Sequence, residues 1–223
     1  MIERIPTGIK GFDSLMEGGI PKGSSVLLTG PCGSGKIYFA GEFLYRSKEP
    51  TLFYSFEKDE SYLIKAFSVF DWQLEEKIKS KQFNIISSEL YQFESFLSDL
   101  SDNIDKLNAS RVVIDSLTII GQFFDSPYKM RKGLIEMRKM LSNSGVTALM
   151  LSEIHDNDPK LSAFGIEEFV LDGVIQTHLI KKNSEIMRGV SIRKMIATNH
   201  DSSIHPFELT KKGITVHKIR EII

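Results

Sequence analysis

The segment Gly30-Pro31-Cys32-Gly33-Ser34-Gly35-Lys36-Ile37 constrains this chain more than any other part of its sequence. It matches the phosphate-binding pattern G-x-x-x-x-G-K-[ST] at every fixed position except the last. The glycines let successive backbone N–H groups point into one concavity that fits a polyphosphate, and Lys36 adds a positive charge for the terminal phosphates. The last position normally offers a hydroxyl group to Mg²⁺, and Ile37 has none. The loop therefore predicts phosphate binding with a weakened Mg²⁺ site.

The residues on both sides of this loop have the pattern that the motif requires, a strand before it and a helix after it. Residues 25–29 are a short apolar and β-branched run, and residues 37–45 carry apolar side chains on one helical face. A helix N-terminus at the loop would add its partial positive charge to the site. A plain glycine-rich turn is the weaker alternative, because Lys36 lies where phosphate binding needs it.

Apolar runs typical of strands alternate with helical stretches along the rest of the chain. The predicted strands are residues 25–29, 51–56, 83–86, 111–115 and 146–151, and the predicted helices are residues 37–45, 60–70, 91–107 and 128–142. Such alternation predicts an α/β fold, with a mostly parallel central sheet and helices on both faces. Four later runs, residues 173–179, 189–197, 206–209 and 214–216, predict a C-terminal antiparallel extension of the same sheet. We expect a single domain over residues 1–223.

The composition narrows the class of protein. Of the 223 residues, 41% are hydrophobic and 26% are charged, which is ordinary for a globular protein in water. The net charge of −1 gives no global basic field for nucleic acid, although it leaves a local DNA-binding patch open. No segment has the apolar length of a membrane helix or the apolar core of a signal peptide, so we expect no membrane contact and a cytoplasmic location.

Metal-binding and redox motifs are weak in this sequence. Cys32 is the only cysteine, so no intrachain disulfide can form and no thiolate cluster can hold a metal. The five histidines lack the helical spacing of a metal site. We therefore expect no zinc.

Carboxylates follow two of the predicted strands, and ligands of an open parallel sheet bind beyond the carboxyl ends of its strands. Asp115 is placed like the acidic residue that positions Mg²⁺ in phosphate-loop enzymes, with a turn or helix cap as its alternative. Glu57 could orient or deprotonate an attacking water, with a solvated role in a charged turn as its alternative. Ser152 and Glu153 end a later strand, where a polar group could sense the terminal phosphate.

Several segments together resemble the KaiC/RadA branch of the RecA superfamily. Residues 7–23 resemble the lead-in to the phosphate loop, Tyr54-Ser55-Phe56-Glu57 resembles the second strand with its catalytic glutamate, and residues 112–117 resemble the Walker B strand. Residues 164–174 resemble a KaiC-type signature, and residues 194–200 resemble the segment K-M-R-x-T-x-H. The resemblance covers nearly the whole chain in order.

The resemblance implies a RecA-like fold that binds ATP between neighbouring subunits of a ring, most often a hexamer, or of a filament. It implies that Lys194 and His200 touch the ATP of a neighbouring subunit. The predicted catalytic residues are Lys36, Glu57 and Lys194, and the predicted ligand of Mg²⁺ is Asp115. The predicted nucleotide contacts are Gly30, Cys32, Gly33, Ser34, Gly35, Lys36, Ile37 and His200.

The arginine of the K-M-R-x-T-x-H pattern falls on Ile196 in this chain. A trans arginine contributes roughly 10³–10⁵ to the rate of well-studied NTPases, and Lys194 lacks its planar fork. We therefore expect an ATP-binding regulatory or assembly module with weak or absent hydrolysis. One alternative is a working ATPase that acts at subunit interfaces, with a DNA-related role left open. The other is a passive structural paralogue that binds no nucleotide.

Overall fold

A large sheet forms the centre of the computed structural model, which describes residues 2–156, 158–182 and 185–218. The strands of the described part are β1 (Arg4–Ile5), β2 (Ile20–Pro21), β3 (Ser25–Gly30), β4 (Thr51–Ser55), β5 (Phe83–Ser87), β6 (Arg111–Asp115), β7 (Thr147–Glu153), β8 (Gly173–Lys182), β9 (Glu185–Met195), β10 (His205–Thr210) and β11 (Gly213–Val216). β1 and β2 form a small separate ribbon, and the other nine strands lie in the order β11-β10-β9-β8-β3-β7-β6-β4-β5.

The predicted α/β architecture is confirmed, including its mostly parallel sheet. Strands β5, β4, β6, β7, β3 and β8 all run parallel to one another. The antiparallel extension begins at β9 and continues through β10 and β11. It starts one strand later than expected, because β8 returns after a crossover from β7 and pairs parallel with β3.

Helices cover both faces of the sheet, as predicted. They are α1 (Lys36–Tyr45), α2 (Glu60–Phe67), α3 (Leu74–Lys79), α4 (Phe93–Leu107), α5 (Leu117–Gly121), α6 (Pro127–Asn143) and α7 (Glu167–Val170). Side chains of α1 and α2 pack in one buried cluster, and side chains of α4, α5 and α6 pack in another on the opposite face. No helix in the described residues combines the length and apolarity needed to cross a bilayer.

Burial on both faces explains why the central strands read as continuous apolar runs. Every residue of β3, β4 and β6 is buried, so these strands lack the alternation of half-exposed strands. Fully burying one side chain such as Val26 or Phe53 stabilises the fold by about 1.5–3 kcal/mol. The strand ends that carry polar side chains are therefore held by a rigid core.

Helix α1, which follows the phosphate-binding loop, is tied to the C-terminal strands by one buried carboxylate. Glu42 accepts hydrogen bonds from Arg46 and from the backbone N–H of Ile214 in β11. Burial raises the pKa of the Glu42 carboxyl, although the hydrogen bonds from Ile214 and Arg46 oppose that effect. This contact connects α1 to the antiparallel extension.

Helix α1 also passes so close to α2 that position 41 has room only for glycine. A Cβ atom on Gly41 would lie 2.3 Å from Cε1 and 2.4 Å from Cζ of Phe67. The Phe67 ring is 1% exposed and packs against the rings of Phe53, Trp72 and Phe83. A side chain at position 41 would therefore have to push the Phe67 ring against these neighbours.

The substitution Gly41→Ala tests this close packing. Alanine has the higher helix propensity, by roughly 1 kcal/mol, but overpacking a core costs about 1–3 kcal/mol. We expect urea titration to give a free energy of unfolding lower by on the order of 1 kcal/mol. In a Phe67→Leu background the same alanine should be neutral or stabilising relative to Phe67→Leu alone. Higher stability of Gly41→Ala in the unaltered protein would contradict the packing argument.

Candidate functional site

A cleft of about 650 Å³ lies at the carboxyl ends of the central parallel strands. Its lining includes the phosphate-binding loop after β3, together with side chains that follow or end β4, β6 and β7. This is the edge at which open α/β sheets bind ligands. Of the predicted site residues, Cys32, Gly33, Gly35, Lys36, Ile37 and Asp115 line the cleft.

The phosphate-binding loop presents backbone N–H groups that have no acceptor in the described part of the chain. Across the described residues, no protein group accepts a hydrogen bond from the amides of Cys32, Gly33 or Gly35. The first N–H groups of α1 also lack intrahelical acceptors, as at every helix start. Positive backbone φ angles at Gly33 (77°) and Gly35 (96°) turn the chain through the loop. The loop thus has the amide-rich geometry that binds anions.

The start of the loop is held against β8 by close packing. Gly30 has a φ of 152°, and a Cβ atom there would lie 2.1 Å from Oγ1 of Thr177. The same Thr177 hydroxyl lies 2.7 Å from the Ser34 hydroxyl and donates to the Thr29 carbonyl oxygen. Ser34 in turn donates to the Pro31 carbonyl oxygen. Gly30 and Ser34 therefore shape the loop from its buried side rather than lining the cleft.

Lys36 folds its ammonium group back onto the loop. The Lys36 Nζ atom donates to the carbonyl oxygens of Gly30 at 2.6 Å and Pro31 at 3.0 Å. Burial lowers the pKa of Lys36, while the nearby carboxylates of Glu153 and Asp115 oppose that effect. The side chain lines the cleft, and turning Nζ towards a bound phosphate exchanges these two hydrogen bonds for contacts with an anion.

Asp115 makes an ion pair that the sequence analysis did not anticipate. The Lys58 Nζ atom lies 2.9 Å from Oδ2 of Asp115, whose side chain is only 6% exposed. Burial alone would lower the pKa of Lys58, but the charge of Asp115, the hydrogen bond to it and the charges of Glu57 and Glu153 outweigh burial and raise it. Lys58 is therefore a cation at neutral pH, and it lines the cleft beside Lys36.

Glu57 is not among the described residues that line this cleft. Its side chain is 43% exposed, and one carboxylate oxygen lies 3.7 Å from the Lys58 Nζ atom. The turn that carries both residues is held by two hydrogen bonds, from the Lys58 N–H to the Ser55 hydroxyl and from the Phe56 N–H to the Asp115 carbonyl oxygen. Of the two neighbouring charged residues, Lys58 rather than Glu57 lines the cleft.

Three further charged residues line the cleft, and they are Glu153, Asp158 and Arg188. Glu153 ends β7 opposite Gly30 in the sheet register, and its N–H donates to the Thr118 hydroxyl. Arg188 of β9 donates from Nε to the Gly33 carbonyl oxygen at 3.1 Å. Ser152, by contrast, is buried and bonds to Glu167. The cleft therefore combines the cations of Lys36, Lys58 and Arg188 with the carboxylates of Asp115, Glu153 and Asp158.

Lys194 and His200 lie outside the lining of this cleft. The Lys194 Nζ atom donates to the carbonyl oxygens of Glu168 and Leu171, at the end of α7. His200 is half-buried, and its Nδ1 atom lies 3.4 Å from the Ser202 hydroxyl. Their contact with the nucleotide of a neighbouring subunit stays a prediction.

The residues of this site do not fit a divalent cation held in the usual way. The Asp115 carboxylate is already paired with the Lys58 ammonium, and Ile37 offers no oxygen at the position of the usual hydroxyl. Among the residues that the structure describes, no three or more His, Cys, Asp or Glu side chains cluster so that they could hold a metal ion.

We compared the chain with protein-family models, with curated proteins and with solved structures, and the three comparisons agree. A family model described as "ATPase: KaiC" matches residues 5–221. The chain is 30% identical over 229 residues to a circadian clock oscillator protein KaiC of Prochlorococcus marinus, covering 96% of this chain and 46% of that protein. It is 30% identical over 237 residues to UPF0273 protein PF1931 of Pyrococcus furiosus, covering 97% and 95% respectively.

The chain thus spans about half the length of the curated KaiC relatives that it matches and nearly all of the Pyrococcus furiosus relative. A solved structure, the KaiC-like protein PH0186 of Pyrococcus horikoshii OT3, superposes with a TM-score of 0.88 at 36% identity. That superposition covers 98% of this chain and 100% of the solved one. The chain therefore belongs to the KaiC family of ATPases and has the P-loop fold of the RecA superfamily.

Proposed function

We propose that this protein binds ATP in the cleft beside the phosphate-binding loop and hydrolyses it weakly or not at all, as a regulatory or assembly module. The observation that carries the proposal is the set of unpaired amides at Cys32, Gly33 and Gly35, with the Lys36 ammonium beside it. A concave, amide-lined loop at a helix N-terminus is suited to a polyphosphate.

The rest of the cleft supports a nucleotide rather than a free phosphate. Its volume of about 650 Å³ is within the usual range of small-molecule sites. Tyr38 and Tyr62 line the same cleft and offer aromatic surface for a base. The description of the family as an ATPase makes ATP the first nucleotide to test.

We expect weak hydrolysis because two side chains of the family pattern are missing in this chain. Ile37 and Ile196 are aliphatic where the family pattern has a hydroxyl and an arginine. The predicted base Glu57 has a carboxylate oxygen 3.7 Å from the Lys58 Nζ atom and is not among the residues that line the cleft. Phosphate binding depends on the loop amides and on Lys36, so the missing hydroxyl and the missing arginine leave it in place.

The substitution Lys36→Ala tests ATP binding directly. A hydrogen bond to a charged group stabilises by about 1.5–3 kcal/mol, so we expect Kd to rise about 10- to 100-fold. Isothermal calorimetry with ATP, both with Mg²⁺ and with EDTA, measures the change. Lys65→Ala, on the exposed side of α2, is the matched control and should leave Kd unchanged. No ATP binding by the unaltered protein in either buffer would contradict the proposal and favour a passive structural subunit.

A working ATPase is the second candidate, and the family description favours it. Steady-state phosphate release separates the two candidates. We expect turnover close to the background, with little further loss in Glu57→Gln because Glu57 is not among the residues that line the cleft. Steady turnover that Glu57→Gln abolishes would contradict weak hydrolysis and establish the working ATPase.

We also propose that the protein assembles with copies of itself, with residues 1–223 acting as one unit. Ile196 and Phe169 are 54% and 67% exposed and lie on segments joined by the hydrogen bond from the Ile196 N–H to the Asp172 carbonyl oxygen. Exposed apolar side chains of this size favour contact with another protein. Such an assembly would bring Lys194 and His200 of one subunit towards the ATP of the next.

Native mass spectrometry with ATP tests the assembly. We expect a ring-sized oligomer, a hexamer by resemblance, that Ile196→Asp weakens because burying an unpaired carboxylate is unfavourable. Ile186→Asp, at a similarly exposed position on β9, is the control and should leave the oligomer intact. A monomer at all protein concentrations would contradict the proposal.

A further inference from the structure

We propose that the Lys58 ammonium takes the place of a divalent cation in this site, so that the protein binds ATP without Mg²⁺. The inference rests on the proposed function, because it concerns how the same cleft neutralises a triphosphate. It assigns to Lys58 a binding role that neither the loop motif nor the family pattern indicates.

The first support is the position of the Lys58 charge. Its Nζ atom lies 2.9 Å from Oδ2 of Asp115, the carboxylate that would otherwise hold the metal. Lys58 and Asp115 both line the cleft, together with Lys36 of the phosphate-binding loop. The Lys58 ammonium is bound to this carboxylate and lines the cleft. We therefore place it where a metal ion would otherwise face the phosphates.

The second support is that a divalent cation would have to displace this pair. Mg²⁺ requires near-octahedral oxygen ligands at about 2.0–2.1 Å, and a metal held by the Asp115 carboxylate would lie beside the Lys58 ammonium, which is bound to Oδ2. Ile37 cannot supply the hydroxyl that normally offsets such a displacement. The missing hydroxyl at Ile37 and the ion pair of Lys58 are therefore consistent with each other, because a fixed cation removes the need for the metal.

The third support is that the turn does not need the ion pair for its own shape. The Lys58 N–H donates to the Ser55 hydroxyl, and the Phe56 N–H donates to the Asp115 carbonyl oxygen. The next residue, Asp59, caps α2 by accepting from the Tyr62 N–H. These backbone contacts hold the turn, so the Lys58 side chain is available to the ligand.

The lining of the cleft has equal numbers of the two charges. Lys36, Lys58 and Arg188 line it as cations, against the carboxylates of Asp115, Glu153 and Asp158. Without a metal, a triphosphate would therefore draw on the loop amides and on the Lys36 and Lys58 ammonium groups. The bound phosphates would then share the Lys58 charge with Asp115.

Calorimetric titration of the full chain with ATP in EDTA and in excess Mg²⁺ tests the inference. We expect the two Kd values to agree within about threefold. Lys58→Gln should weaken binding in EDTA by about 10- to 100-fold, because it removes a charged donor, and added Mg²⁺ should restore part of the loss. Lys65→Gln, an exposed lysine on the neighbouring helix, is the control and should behave like the unaltered protein in both buffers.

The outcomes separate this inference from the proposed function. Binding in Mg²⁺ that disappears in EDTA would overturn the inference and leave ATP binding intact, whereas no binding in either buffer would overturn both. A thermal melt of Lys58→Gln checks that it is folded. If it is not, Lys58→Met replaces it, with the same expected loss of binding in EDTA. Unchanged binding in EDTA by a folded Lys58 variant would overturn the inference.

Discussion

The connection from β3 to α1 is the constraint on which the rest of this site depends. Strand β3 lies between β7 and β8 and is buried along its whole length. Its last residue, Gly30, approaches Thr177 of β8 too closely for any side chain, so the loop leaves the sheet in one direction. Because β6 and β7 end at the same edge, Asp115 and Glu153 meet the loop there. The strand order of the sheet thus determines which side chains line the cleft.

The proposed function assigns different tasks to two kinds of group at this edge. In the proposal, backbone amides and Lys36 bind the phosphates, and these groups are present whatever side chains stand at positions 37 and 196. Hydrolysis requires a metal, a positioned base and a trans cation, all of which are side-chain contributions. In this chain Asp115 is paired with Lys58, and Glu57 is not among the residues that line the cleft. We therefore propose that binding and turnover are separated in this protein.

Much of the fold could be predicted from the sequence, because buried parallel strands leave unbroken apolar runs. The strands of residues 51–55 and 111–115 and the helix over residues 93–107 are close to their predicted bounds. Helices α3, α5 and α7 were missed, since four to six residues carry too little periodicity to show a face. The direction of β8 was also missed, because direction depends on the crossover that precedes it.

The side chains of the site were harder to predict than the loop. Residues 57–60 are four consecutive charged residues, and no pattern in them tells which one faces the cleft. The answer depends on the turn that Ser55 and Asp115 hold, which is a tertiary contact. Arg188 reaches Gly33 across more than 150 positions of sequence, through the register of β9 on β8 and of β8 on β3. Contacts of this kind follow from the assembled sheet and not from local spacing.

A crystal structure of the protein grown with ATP in the presence of EDTA tests the central claim most directly. The account predicts the phosphates against the amides of residues 33–36, with the Lys36 Nζ atom turned towards them. It also predicts that Lys58 remains between Asp115 and the phosphates. Nucleotide bound elsewhere, or a loop whose amides stay out of contact with it, would contradict the account.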